Sequence, residues 1–103
     1  MKLLITTFLD PKFLPDLEAM FDTITYAGMM ETGRVLTEDE LAEAMADVDA
    51  VVIEFDPLTR QVLDACKNLK VIASVRGGAH ANVDVDAATE KGIPILYVPG
   101  RNQ

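Results

Sequence analysis

Residues 69–102 read LKVIASVRGGAHANVDVDAATEKGIPILYVPGRN, and the fold turns on this stretch. A nearly uninterrupted apolar run at 71–75 leads into the pair Gly77 and Gly78. A helical segment opening at Asp84 or Asp86 is then closed by Gly92, since glycine readily takes the left-handed conformation that ends helices. A second apolar run at 95–98 leaves through Pro99 and Gly100. Strand, glycine turn, helix and strand make one βαβ unit. Open parallel sheets place their ligands at the carboxyl ends of such strands.

Working outward, two more apolar runs lie at 3–9 and 51–53. None of these runs alternates with polar residues, so they suit strands covered on both faces, as in a parallel sheet. Residues 23–26, Thr-Ile-Thr-Tyr, do alternate and predict an edge strand with one wet face. The first helix is expected to open at Asp10-Pro11 or Leu14-Pro15 and to present Leu14, Leu17, Met20 and Phe21 together. Thr37-Glu38-Asp39-Glu40 is a capping box, with Leu36 and Leu41 as its hydrophobic staple. The third helix is expected near Asp56-Pro57, capped by Asp56, with Leu58, Val62 and Leu63 on one side.

Five strands alternating with four helices predict an α/β fold, a doubly wound flavodoxin-like parallel sheet in the order 2-1-3-4-5. A fifth covering helix is lacking. Right-handed crossovers would put helix one on one face with that absent helix, and helices two to four on the other. The sheet near 71–75 and 95–98 would then lie bare, an apolar patch of several hundred Å² that a monomer rarely exposes. A homo-oligomer or an element-swapped dimer is the expected consequence.

At 103 residues the chain is expected to be one domain, 1–103, too short to hold a nucleotide-binding domain as well. Its 17 acids against nine bases leave a net charge of -8, which speaks against nucleic acid and anionic membrane as partners. Glu38, Asp39, Glu40 and Glu43 read as a solvated helix face, and no metal site is expected. Cys66 is the single cysteine, so no internal disulfide can form and a reducing, cytoplasmic setting is the simpler expectation. It reads as a small packed hydrophobe; the single histidine, His80, follows a different strand and is not expected to pair with it. The run at 3–9 is too short for a signal peptide or a membrane span and reads as a strand.

Four strings carry a family resemblance: 36–41 (LTEDEL), 49–53 (DAVVI), 68–72 (NLKVI) and, above all, 82–94 (NVDVDAATEKGIP). With these the whole chain resembles the N-terminal part of the substrate-binding domain of the D-isomer-specific 2-hydroxyacid dehydrogenases, the family that includes phosphoglycerate dehydrogenase. The resemblance implies a discontinuous domain, closed by a helix that returns from the far C-terminus after an inserted nucleotide-binding domain. The chain is therefore expected to be a fragment, with that nucleotide-binding domain and that C-terminal helix as its missing partners.

The resemblance also implies that the glycine loop after strand four offers backbone amides to the substrate carboxylate, here Arg76, Gly77, Gly78 and Ala79. Consecutive N–H groups can turn toward one anion where glycines relax the backbone. A tight turn in which only glycine fits is the competing reading. Two departures bear on substrate choice: the family's loop glycines are commonly one residue apart, whereas Gly77 and Gly78 are adjacent, and Ala81 stands where the family commonly has aspartate. Arg76 can clamp a second anionic group bidentately, or stand exposed at the sheet rim. Phe55, in the loop Glu54-Phe55-Asp56-Pro57, forms another wall of the cleft or belongs to the core.

The chain lacks the Gly-x-Gly-x-x-Gly turn of a dinucleotide site, so no cofactor is expected on it, and NAD or NADP belongs to the parent enzyme. The family's catalytic arginine, glutamate and histidine fall beyond residue 103. Neither Arg76 nor His80 takes those roles, no catalytic residue is assigned, and turnover by the chain alone is not expected. The alternative is a stand-alone flavodoxin-like receiver or ligand-binding module. Asp10, Asp56 and Ser74 partly imitate a phospho-receiver, but no lysine follows strand five, and residues 6–11 make a poor phosphate loop for FMN.

Overall fold

Short runs of aliphatic and β-branched residues form five strands: β1 Lys2–Ile5, β2 Thr23–Tyr26, β3 Ala50–Ile53, β4 Val71–Ser74 and β5 Ile95–Tyr97. The computed structural model describes residues 1–7, 11–28, 33–54, 56–75 and 83–97. All neighbouring strands pair in parallel, in the order β2-β1-β3-β4-β5. This is the expected flavodoxin-like α/β order. As expected, β2 is an edge strand with most of its residues exposed.

Between the strands, a 3₁₀ turn at Pro11–Phe13 runs into α1 Leu14–Met20, followed by α2 Glu38–Met45, α3 Arg60–Ala65 and α4 Val85–Glu90. The capping box of α2 is formed: Glu40 N–H donates to Thr37 Oγ1 at 3.3 Å and Thr37 N–H donates to Glu40 Oε1 at 3.0 Å. Arg34 adds a two-pronged contact to the same carboxylate at 2.9 and 2.7 Å and, as the largest influence, draws Glu40 down to about 2. Helix α4 starts with Asp84 accepting from Ala87 N–H at 2.9 Å. It ends with Gly92 at φ +72, whose N–H donates to Thr89 O at 3.0 Å while Ile93 N–H donates to Ala88 O at 2.9 Å. That pair of bonds satisfies two orphan carbonyls, and Ile93 drops into the core beside Ala87 and Ala88.

Three sequence expectations are corrected. Strand β1 ends at Ile5 instead of running on through the apolar stretch, because Thr6 and Thr7 turn their hydroxyls to side-chain partners after β3. Helix α3 begins at Arg60 with Thr59 at its N-cap, so Asp56 is not its cap. Met20 is 63% exposed and does not share the core side with Leu14, Leu17 and Phe21, because α1 ends there and turns into β2.

The sheet separates two apolar clusters. On one face Leu4, Val51, Ile53 and Ile72 meet Leu41 and Met45 of α2, Val62 and Leu63 of α3, and Ala87 and Ala88 of α4. On the other, Leu3, Ile5, Ala50 and Val52 meet Phe21 and the half-buried Leu14 and Leu17 of α1. Helices two to four thus share one face and helix one takes the other, as right-handed crossovers require. Toward the β4–β5 side of the α1 face, Val71 and Ala73 are half-buried and Leu96, which pairs in register with Ala73, is 53% exposed.

Candidate functional site at the switch point

The chain leaves β1 for β2 on one side and enters β3 on the other, so the strand order reverses between these two neighbours. In open α/β sheets of this order, ligands bind in the crevice outside the carboxyl ends of the strands at that reversal. Two threonines and two acids stand there: Thr6 and Thr7 follow β1, while Glu54 and Asp56 follow β3.

Thr6 stays in register for one more bond, its N–H donating to Val52 O at 3.0 Å. Its hydroxyl donates to Asp56 Oδ2, with Val52 O at 3.2 Å as the other near acceptor. The Thr7 hydroxyl donates to Glu54 Oε1 at 2.5 Å. Each contact crosses from β1 to β3, so the two strand exits are tied side chain to side chain where the backbone ladder stops. Thr6, Thr7 and Asp56 are buried, and Glu54 is half-buried.

Burial pushes the Asp56 carboxyl above its usual range, because removing a carboxylate from water penalises the charged form. Hydrogen bonds from Thr6 and from backbone groups, including Leu36, work in the opposite direction. Asp56 therefore joins the exits of β1 and β3 to the segment that leads into α2. Gly28, after β2, completes this corner at φ +60: an added Cβ would stand 3.3 Å from Leu36 Cγ and 3.4 Å from Thr6 O. Glycine is needed here both for the left-handed backbone and for the close approach.

Of the residues singled out from sequence, Phe55, Arg76, Gly77, Gly78 and Ala79 lie outside the described residues, as do Asp10 and His80. Val75, the last described residue before the glycine pair, donates its N–H to Ile53 O at 3.0 Å, which places it at the carboxyl edge beside β3. Asp56, at 2% exposure and bonded to Thr6, is not presented to solvent as a phospho-acceptor would be. Cys66 is half-buried at the end of α3, its thiol donating to Val62 O at 3.3 Å, and burial pushes the thiol up to about 11. It behaves as packing, as its sequence position implied.

Sequence reading missed the threonine pair. The available signal was two hydroxyls breaking an apolar run at the carboxyl end of one interior strand, with acids at the same point after the next. A shallow hollow of about 360 Å³ beside β2, lined by Glu18, Phe21, Asp22, Ile24 and Tyr26, is displaced from the strand-order reversal, and topology favours the latter.

A family model described as D-isomer specific 2-hydroxyacid dehydrogenase, catalytic domain, matches residues 3–103. The chain belongs to that dehydrogenase family. YoaD of Bacillus subtilis (strain 168), provisionally named a 2-hydroxyacid dehydrogenase, is 35% identical over 104 residues, covering 99% of this chain and 30% of its own length. The D-3-phosphoglycerate dehydrogenase of Methanocaldococcus jannaschii is 40% identical over 73 residues, 70% of this chain and 14% of the relative. Among solved structures, the TT0316 protein from Thermus thermophilus superposes with a TM-score of 0.78 at 29% identity, over 97% of this chain and 31% of that one. The chain thus spans less than a third of the length of these curated relatives.

Family membership makes this an oxidoreductase-type domain, and one of its own features bears on cofactor. The six glycines stand at 28, 33, 77, 78, 92 and 100, and nowhere take the spacing that brings a backbone against a pyrophosphate. Among the described residues, no helix is long and apolar enough to cross a membrane, and no three His, Cys, Asp or Glu side chains cluster as metal ligands would.

Proposed function

We propose that this chain is the substrate-side domain of a cytoplasmic oxidoreductase that moves a hydride between NAD or NADP and a D-2-hydroxy acid or its 2-keto partner. The family match over residues 3–103 carries the reading. In it, the backbone of Arg76, Gly77, Gly78 and Ala79 receives the substrate carboxylate, and Phe55 walls the cleft. The nearby strand exits supply the rigid edge: Thr6 and Thr7 bridge to Asp56 and Glu54, and Val75 is held beside β3.

The domain binds and orients the substrate. The dinucleotide and the general acid and base come from a nucleotide-binding domain outside this chain, which supplies the hydride and the proton. Alone, the chain does not turn over. The test is to supply the nucleotide-binding domain in trans and follow NADH oxidation with a panel of 2-keto acids. Turnover with both parts and none with either alone is the expected result; turnover by this chain alone overturns the division of labour.

Self-association, or exchange of an element between copies, belongs to the same proposal, supported by the half-covered β4–β5 side of the α1 face. Sedimentation of a single monomeric species at concentrations of about tens of micromolar would contradict it.

A further inference from the structure

The outer side of β2 is an open edge of the sheet. Among the described strands β2 pairs with β1 alone, and Thr23–Tyr26 carries neither a charge nor a proline to blunt that edge. The direction of its backbone groups is fixed by the ladder. Thr23 and Ala27 donate their N–H groups toward β1, to Met1 O at 3.5 Å and Ile5 O at 3.1 Å, so by the alternation of a strand Ile24 and Tyr26 turn theirs outward. The side chains of these same two residues lie on the α1 face, where with Glu18, Phe21 and Asp22 they line the hollow of about 360 Å³. Tyr26 stands at its rim, 37% exposed.

From this geometry we infer that β2 is a self-association edge, pairing antiparallel with β2 of a second copy around a two-fold axis at Thr25. An axis perpendicular to the sheet keeps every residue on its own face, so facing residues differ by an even number of positions. Only with Ile24 opposite Tyr26 of the second copy, and the reverse, are the outward groups of both residues used in both copies, in four hydrogen bonds. That register seats each Tyr26 ring on the other copy's Ile24 and in its hollow, an aromatic and β-branched cross-strand pair, with the phenol hydroxyl donating to the rim acids.

A second copy is the occupant because the strand complements itself and meets no like charge. Its pairs are Ile24 with Tyr26, Thr25 with Thr25 and Thr23 with Ala27, and the neighbouring Asp22 is engaged by the Met1 ammonium at 2.8 Å. At a net charge of -8 two copies repel one another overall, and an uncharged strip is where they can meet. The pair is smaller than a standard interface, so dimer and monomer exchange. This edge and the β4–β5 side are at opposite ends of the sheet, and the contact does not depend on the association proposed above.

In a Cys66→Ala background, Thr25→Cys places two thiols at a non-hydrogen-bonded pair with Cα atoms about 4.5 Å apart, within disulfide reach. Thr23→Cys is the control, about 14 Å from its counterpart in this register. With oxidised glutathione, Thr25→Cys is expected to give linked dimer at least roughly tenfold faster than Thr23→Cys. Thr25 is exposed, so Thr25→Lys should leave the circular dichroism unchanged while setting two cations side by side on the axis. Sedimentation should then show association weakened about tenfold, and less so at high salt.

Equal cross-linking of the two cysteine variants overturns the inference, as does a folded Thr25→Lys chain that associates like the unmodified one. Association lost in Leu96→Lys and untouched in Thr25→Lys assigns the contact to the β4–β5 side instead and overturns it too. A chain that stays monomeric in every arm leaves this edge to another protein or to none, and overturns the choice of a second copy.

Discussion

The two faces of the sheet are built unequally. Among the described residues, the face under α2, α3 and α4 holds fifteen buried apolar residues in one cluster, including Leu41, Met45, Ile53, Leu58, Val62 and Ile72 with no exposure at all. The α1 face holds six buried residues among those described, and α1 itself has none; it leans on Leu14 and Leu17, both half-buried. Interior packing is dense enough that each buried methylene is felt, so the first face should dominate stability and the second should open more readily. The switch-point residues are tied to both, because Leu4 and Ile53 sit in one cluster and Ile5 and Val52 in the other.

The largest effect is expected on the heavily packed face. Leu41 follows the capping box of α2 and is fully buried against Leu36 and Met45. Leu41→Ala removes its side chain from a site closed on all sides, and a cost of about 3 kcal/mol is expected. Urea unfolding read by circular dichroism measures it. A cost below about 1 kcal/mol would show that this face collapses around the gap and that the contrast between faces is smaller than the burial implies.

Next comes the corner that joins the faces. Asp56→Ala leaves the buried Thr6 hydroxyl and the Leu36 N–H without that acceptor, for a cost of about 1–3 kcal/mol. Asp56→Asn separates charge from shape through its pH dependence. Burial raises the folded-state value of Asp56 above the ordinary 3.8, so its contribution is complete below 3.8 and is lost as pH rises through the folded value. The asparagine variant carries no such loss. Its stability relative to the unmodified chain should therefore rise with pH from 3.8 upward, whatever the offset at low pH. A flat difference would mean that the hydrogen bonds from Thr6 and the backbone cancel the burial effect.

These two sites also mark what the sequence made legible. Long apolar runs without alternation sufficed for the strand order, because strands buried on both faces leave that pattern and right-handed crossovers restrict the winding. The ends of α2 and α4 were readable because capping chemistry is local: Thr37 with Glu40, and Gly92 at positive φ. Asp56 was misread because Asp-Pro resembles a helix start locally, while its real partners, Thr6 and Leu36, are 50 and 20 positions away in sequence. Thr6 and Thr7 were absorbed into a strand for the same reason: their partners after β3 are a tertiary outcome. The substrate loop at 76–79 was legible only through family resemblance, since two adjacent glycines serve a tight turn as well as a nest.

On the lighter face the expected effects are smaller. Leu17 of α1 is half-buried against the second cluster, and Leu17→Ala should cost about 1 kcal/mol, a fraction of the Leu41 value because less surface leaves water there. Native-state hydrogen exchange sharpens the point. Amides of α1 should exchange through a local opening, while those of β3 and α2 wait for global unfolding. Equal protection across both faces would show that α1 is held by more than the described contacts.

The smallest stability effect is expected at Leu96. It is 53% exposed on β5, on the α1 face of the sheet, and a side chain already half in water loses little on replacement. Leu96→Lys should change the unfolding free energy by no more than about 0.5 kcal/mol. Its effect on association should be much larger. If this side of the sheet meets a second copy or an exchanged element, a lysine there must be desolvated to keep the contact, and sedimentation should shift toward the monomer. A stability loss above about 1 kcal/mol with unchanged sedimentation would mean that Leu96 is packed within its own chain, and the two faces would then be more equal than their clusters suggest.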